Sequence, residues 1–316
     1  MIPISLCMIT KNEADKLDRC LSSVKELPLE IIVVDTGSTD NSLEVAHNYT
    51  EHVFRFDWIS DFAAARNFSI SKATNDWILV LDTDEYVTSA NMEEIYTLIN
   101  AHPTGVGCLV RNSPDTLNSV IVDHVERLFN RHIYMYKRPI HEQVLPINES
   151  ETPFSSFHIP LYVDHDGYLG SRDETDAKAK RNLDILLSSE SQYPDSYTYF
   201  QIGQSYYMLR DFEKASFYYE KGLNFNLAPE SEFVQLMVVH YGYSLLNTKR
   251  EKDALCFLEQ IYPYFDFLAD FLILMGTVYI RNENYMKAAL QFIKATQTDQ
   301  FFTLGTNSFR AYYHLG

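Results

Sequence analysis

The 316-residue chain is poor in cysteine, in positive charge and in long apolar runs, and each shortage closes a class of explanation. Only four cysteines occur (Cys7, Cys20, Cys108 and Cys256), without C-x-x-C spacing. A disulfide framework or a zinc site is therefore disfavoured, and a reducing, cytoplasmic compartment fits. Lysine and arginine number 26 against 43 acids, for a net charge of −17. A surface of that sign neither wraps nucleic acid nor lies on an anionic bilayer. No run approaches the ~20 apolar residues of a membrane span. The amino-terminal run stops at Lys11 and lacks the basic start of a signal peptide. What is abundant is aromatic: 22 Tyr and 20 Phe need somewhere to pack. The length suits about two domains.

Up to residue 170, strand and helix signals alternate. Strands are expected at ISLCMIT (4–10), EIIVVD (30–35), HVFRF (52–56) and DWILVLD (76–82). Helices are expected between them, the first with Leu17, Cys20, Leu21 and Val24 on one face and the third capped at Ser60 or Asp61. Strands separated by short helices indicate βαβ units and a parallel sheet, with ligands outside the carboxyl ends of the strands. Asp35 and Asp82 stand at that edge. Residues 105–165 read as further strands, and residues 171–316 as helices that repeat. Gly203, Gly242 and Gly276 come into register with Ala215, Ala254 and Ala288, and with Tyr219, Leu258 and Phe292. Such a pattern, close to 34 residues per unit, resembles the tetratricopeptide repeat. A fourth unit begins at FRAYYHLG.

The stretch DWILVLDTDEYV carries a buried strand into three acids, Asp82, Asp84 and Glu85. These acids would repel one another in an interior unless positive charge joins them. Residues two apart in an extended chain share a face, so Asp82 and Asp84 can converge on one hard cation such as Mg²⁺ or Mn²⁺, which completes its shell with substrate phosphates. Alone, D-x-D is also a common acidic turn.

In order along the chain stand CMITKNEADKLDRCLSSV, IIVVDTGSTDNS, FDWISDFAAARNFSISKATNDWILVLDTDEY, RPIHEQV and VDHDGY. Together they resemble family 2 glycosyltransferases of the GT-A fold, in the branch with C-terminal tetratricopeptide repeats. The resemblance implies a GT-A-like α/β domain over 1–170 and all-α repeats over 171–316. It implies metal-dependent, inverting transfer from a UDP-sugar to a glycan or a peptide or protein acceptor. Asp35 would read the uracil ring, with Thr10, Lys11, Asn12, Glu13 and Ser38 beside the nucleoside. Asp61 and Arg66 would lie near the nucleotide, and Asp82 and Thr83 near ribose and metal. Asp84 would be the main metal ligand, with His165 of HxGY as a further ligand; an imidazole favours Mn²⁺ over Mg²⁺. Glu142 is the expected catalytic base and His141 the runner-up, with Asp123 and Glu85 as other candidates. His141 and Glu142 are read in or beside a strand, facing opposite ways. Trp58 could stack on a sugar or pack over its own helix.

Bacteriocin-modifying S-glycosyltransferases resemble this layout too, and the negative charge mildly favours a basic peptide over an acidic glycan. The repeats could also support a dimer. A non-catalytic repeat scaffold with a degenerate transferase domain is the competing reading.

Overall fold

The computed structural model describes residues 3–114, 120–148, 150, 153–165 and 172–315. The chain divides into two compact units, residues 1–171 and 172–316. The expected junction at 170/171 and the DGY of the HxGY motif (166–168) lie outside the described residues.

In the first unit β1 (Ile4–Thr10), α1 (Ala14–Val24), β2 (Leu29–Asp35), α2 (Ser42–His47), β3 (Val53–Arg55), α3 (Phe62–Lys72) and β4 (Trp77–Val80) follow one another. Then come β5 (Glu85–Ala90), α4 (Met92–Ala101), β6 (Val106–Pro114), β7 (Val120–Asn130), β8 (Tyr134–Lys137), β9 (Gln143–Pro146) and β10 (Ser156–His165). Eight strands form one mixed sheet in the order β3-β2-β1-β4-β7-β6-β10-β5, and β8 and β9 form a separate hairpin. The strands β1 to β4 are mutually parallel; β7 runs antiparallel to both β4 and β6, and β10 is parallel to β6. The carboxyl ends of β1, β2, β4, β6 and β10 therefore share one edge.

Alternation along β1 explains the two layers. Leu6 and Met8 face the α1 stripe of Leu17, Cys20, Leu21 and Val24, while Cys7 faces Ala63 and Ile70 of α3. The order of the first four strands and their helices matches the expectation. Strand β5 and helix α4 were not foreseen, because the acidic turn hides the short alternation of EYVTSA. Asp61 is the N-cap of α3 and accepts from Ala64 N–H at 2.8 Å.

The second unit is helical: α5 (Arg172–Ser189), α6 (Ser196–Met208), α7 (Phe212–Leu223), α8 (Glu232–Asn247), α9 (Glu251–Phe265), α10 (Ala269–Arg281), α11 (Tyr285–Ala295) and α12 (Phe309–Leu315). From α6 to α11 the helices form three pairs, and the repeating Ala215, Ala254 and Ala288 are buried. Gly203 lies under the Tyr219 ring and Gly276 under Phe292, whereas Gly242 meets Leu274 of the next pair. Much of the aromatic content packs here. A Cβ at Gly276 would collide with the Phe292 ring, which is 1% exposed and has no room to yield. Gly276→Ala is therefore expected to cost about 1–3 kcal/mol, as overpacking does, read as a fall in the urea midpoint of helical circular dichroism. Among the described residues, no helix is long and apolar enough to cross a membrane.

Candidate active site

Three groups of residues meet at the shared strand edge. In the first, two turns are laced together. Asn12, at φ 54°, places its own N–H on Ser38 Oγ at 2.9 Å, and its side-chain oxygen accepts from Thr39 N–H at 2.7 Å. Glu13 N–H donates to Ser42 Oγ and Ala14 N–H to Asp40. Asp35 ends β2 and accepts from the N–H groups of Gly37 (3.1 Å) and Ser38 (3.0 Å). Its carboxylate is thus engaged by its own turn, the arrangement that a turn-capping acid ahead of GSTD would make. Thr10 ends β1, buried, and its carbonyl accepts from Thr36. The Thr83 hydroxyl donates to Glu13, which also pairs with Lys16 at 3.1 Å, so the KNE turn is tied to the acidic turn after β4. Lys11 is exposed beside it.

The second group is an alternating network of arginines and acids. Arg66 on α3 binds Asp82 at 2.6 Å and Glu142 at 2.7 Å. Arg127 on β7 binds Asp82 at 2.6 Å and Glu85 at 2.8 Å. Arg111 on β6 reaches Asp123 at 3.1 Å and Glu85 at 3.4 Å. Glu85 also accepts from Asp82 N–H at 3.0 Å. Burial alone would raise the Asp82 carboxyl, but Arg127 and Arg66 hold it far below the ordinary carboxylate range. Burial works against both guanidiniums too, and the adjoining acids raise them instead. About 31% of the Asp82 side chain still faces solvent, so screening weakens its share of the attraction; Glu85, with none exposed, depends on it most.

This network corrects three expectations. The positive charge that lets Asp82 and Glu85 sit together is supplied by Arg66, Arg127 and Arg111 of the protein itself. Asp82 and Asp84 do not share the face of an extended strand, because β4 ends at Val80 and the chain turns at Thr83 and Asp84, and both Asp82 oxygens are taken by arginine. Glu85 cannot reach an acceptor as a base, being sealed from solvent. Glu142 stands beside a strand, directly before β9, but the alternation expected for it and His141 is not that of a strand. His141 has φ 50°, and β9 begins only at Gln143, so strict alternation of faces does not apply. Asp61 caps its helix and Arg66 turns to Asp82 and Glu142, so no Asp61–Arg66 pair forms. Trp58 packs edge-on against Phe62, with ring centroids 4.7 Å apart.

The third group contains Asp84 and His165. His165 Nε2 stands 3.5 Å from Asp84 Oδ2, and its Nδ1 is 3.1 Å from Ser113 Oγ. Burial raises the Asp84 carboxyl, and the His165 contact more than offsets it, leaving Asp84 below its usual range. Among the described residues no three His, Cys, Asp or Glu side chains are close enough to share a metal. One carboxylate and one imidazole, the latter held from behind by a buried serine, still suit a divalent ion that takes its other ligands from a diphosphate and water.

Sequence reasoning missed Arg127, Arg111 and Ser113. A period-two reading of VIVDHVERLFN places Asp123 and Arg127 on one face, and Arg111 lies opposite Asp123 in register. That signal was available, but nothing in it named Asp82 as the partner.

Residues 5–156 match the family model described as glycosyl transferase family 2. The chain is 33% identical over 231 residues to a TPR repeat-containing protein of Synechococcus elongatus, covering 71% of this chain and 57% of that protein. It is 28% identical over 229 residues to the SPbeta prophage-derived glycosyltransferase SunS of Bacillus subtilis, covering 70% of this chain and 53% of that one. The chain thus spans a little over half the length of each of these relatives. A crystal structure of S. aureus TarS aligns over 94% of this chain and 91% of that chain, at 12% identity and a TM-score of 0.41.

Proposed function

Residues 5–156 form a domain of glycosyltransferase family 2, and from that premise we propose that the protein transfers a sugar from a UDP-sugar to a glycan or peptide acceptor, with inversion at the anomeric carbon. The observation that carries the reading is the Asp84–His165 pair at the carboxyl edge of the sheet, beside an acid network already neutralised by arginine. Asp84 and His165 would hold Mn²⁺ or Mg²⁺, with Ser113 fixing the ring. When bound, that ion stabilises the diphosphate that leaves. The laced KNE and GSTD turns would receive the nucleoside, with Asp35 shaping the pocket through its own turn. Asp82 would face the ribose while Arg66 and Arg127 hold it ionised and oriented.

Glu142 is the proposed base. Arg66 anchors its Oε1, and Oε2 has no bonded partner among the described residues, so that oxygen can take the acceptor proton as the new bond forms. Asp123, with one oxygen on Arg111, is the comparator. Three cysteines are buried, all four are free, and none is needed by the chemistry, in keeping with a cytoplasmic enzyme.

The test is UDP release from a panel of UDP-sugars, with water as a poor acceptor, in Mn²⁺, Mg²⁺ or EDTA. Turnover of one donor that stops in EDTA is expected. Absence of both turnover and calorimetric donor binding in either metal would leave the repeat scaffold as the better account.

A further inference from the structure

The connection between α11 and α12, residues 296–308, exceeds the usual span of about 2–8 residues between packed helices, and it is folded back onto α10. Asp270, in the first turn of α10 and buried, accepts from the N–H groups of Phe302 (3.0 Å) and Thr303 (3.2 Å) and from Thr306 Oγ1 (3.2 Å). Ala269 N–H donates to Gln300 O at 2.9 Å. Gly305 closes the loop at φ +88°, where a side chain would also run into Phe309. Held this way, the loop joins α6, α8, α10 and α12 in lining a half-open cavity of ≈ 810 Å³, within the size range of small-molecule sites.

The lining is aromatic and polar, and its charges are unequal. Tyr207 and His240 stack almost flat, with centroids 4.3 Å apart and 7° between planes. His240 Nδ1 lies 2.7 Å from Gln204 Oε1, which also accepts from Tyr219. That oxygen can only accept, so Nδ1 carries the proton and Nε2 is left as an acceptor. Burial brings His240 down to about 4, which keeps the ring neutral at physiological pH. Tyr243, Phe309 and Tyr313 add further rings, Tyr313 with 83% of its surface exposed. Arg310 is exposed and has no ion-pair partner among the described residues. The one carboxylate in the lining, Asp270, is occupied by its three donors.

These features select a ligand by elimination. A basic peptide would find no available acid and would meet Arg310. An acidic chain would find a single counter-charge in the lining, Arg310, on a protein of net charge −17. A neutral ligand with apolar ring faces and many hydroxyls meets neither obstacle: its C–H faces suit the aromatic rings, and its hydroxyls can donate to His240 and accept from Arg310. We propose that this cavity in the repeat unit is a glycan-binding site, taking neutral pyranose units against the exposed rings of Phe309 and Tyr313. That the bound glycan is the acceptor or product of sugar transfer rests on the function proposed above; the binding itself does not.

The experiment uses the full chain, titrated by calorimetry and saturation-transfer NMR with maltotriose, cellotriose and chitotriose, and with an N-acetyl tetrapeptide library as competitor. Saturable binding of at least one trisaccharide is expected. Tyr313→Ala and Arg310→Gln should each weaken it by about tenfold, the worth of one hydrogen bond to a charged group or one lost stacking face. Both positions are exposed, so the melting temperature and acceptor-free UDP release should match the wild type. The proposal is overturned if none of the three sugars binds, if both variants bind like the wild type, or if tetrapeptides displace the sugar. Failure of the transferase reading would appear separately, as wild-type protein that binds sugar but releases no UDP from any donor.

Discussion

Asp84→Asn is expected to lower metal-dependent UDP release about a thousandfold, because several kcal/mol of charge stabilisation on the leaving diphosphate would go with the ligand. The fold should hardly notice. The contact with His165 is 3.5 Å long, and 22% of the Asp84 side chain is exposed, so its loss falls within about 1 kcal/mol of stability. Raising Mn²⁺ should recover part of the activity if affinity, and not geometry, is what the variant loses. Ser113→Ala makes a graded companion: it leaves both ligands in place and removes the hydroxyl behind His165, for an expected loss of about 10–100-fold. Activity within about threefold of wild type in Asp84→Asn would remove Asp84 from the chemistry and with it the proposed metal position.

The largest effect on stability is expected at Arg127, a residue with no proposed contact to the leaving group. Arg127→Met keeps much of the apolar stem and deletes the charge, leaving Glu85 fully buried with the N–H of Asp82 at 3.0 Å and, as its one remaining charge partner, Arg111 at the longer 3.4 Å. Breaking a buried pair from one side costs about 3–5 kcal/mol, because the other charge stays desolvated. The double variant Arg127→Met/Glu85→Gln removes that stranded charge and should recover at least half of the loss. Both tryptophans, Trp58 and Trp77, lie in the first unit, so urea unfolding followed by their fluorescence reports this unit directly. Equal losses in the single and double variants would assign the effect to packing and remove charge balance as the reason for the cluster.

The contrast between these two sites shows what the sequence could and could not carry. Strands β1, β2 and β4 and helices α1 and α3 were readable because their periods concern neighbours: Leu17, Cys20, Leu21 and Val24 face one way whatever the rest of the chain does. The repeats were readable for the same reason, since Gly276 and Phe292 sit on adjacent helices of one pair. The acid network was only half readable. That Asp82 and Glu85 needed positive charge followed from electrostatics, but Arg66, Arg111 and Arg127 lie far apart in the chain and meet only when β7 enters the sheet between β4 and β6. The D-x-D reading assumed that the strand continued through Asp84. Tertiary pairing ended it earlier, turning the two aspartates toward different partners: arginines for one, histidine for the other.

The position of β7 also bears on how the protein is made. Trp77, Ile78 and Leu79 of β4 pair with Asn130, Phe129 and Leu128 of β7. On the ribosome, β1 to β4 emerge first and can assemble as a parallel set, yet β4 keeps an open, apolar edge until residue 130 is free of the exit tunnel. A chain arrested between those points carries both hazards at once: a sticky strand edge and an Asp82 without Arg127. Synthesis of the helix α4 and strand β6 region is therefore the interval in which the β4 edge stays unpaired on this side.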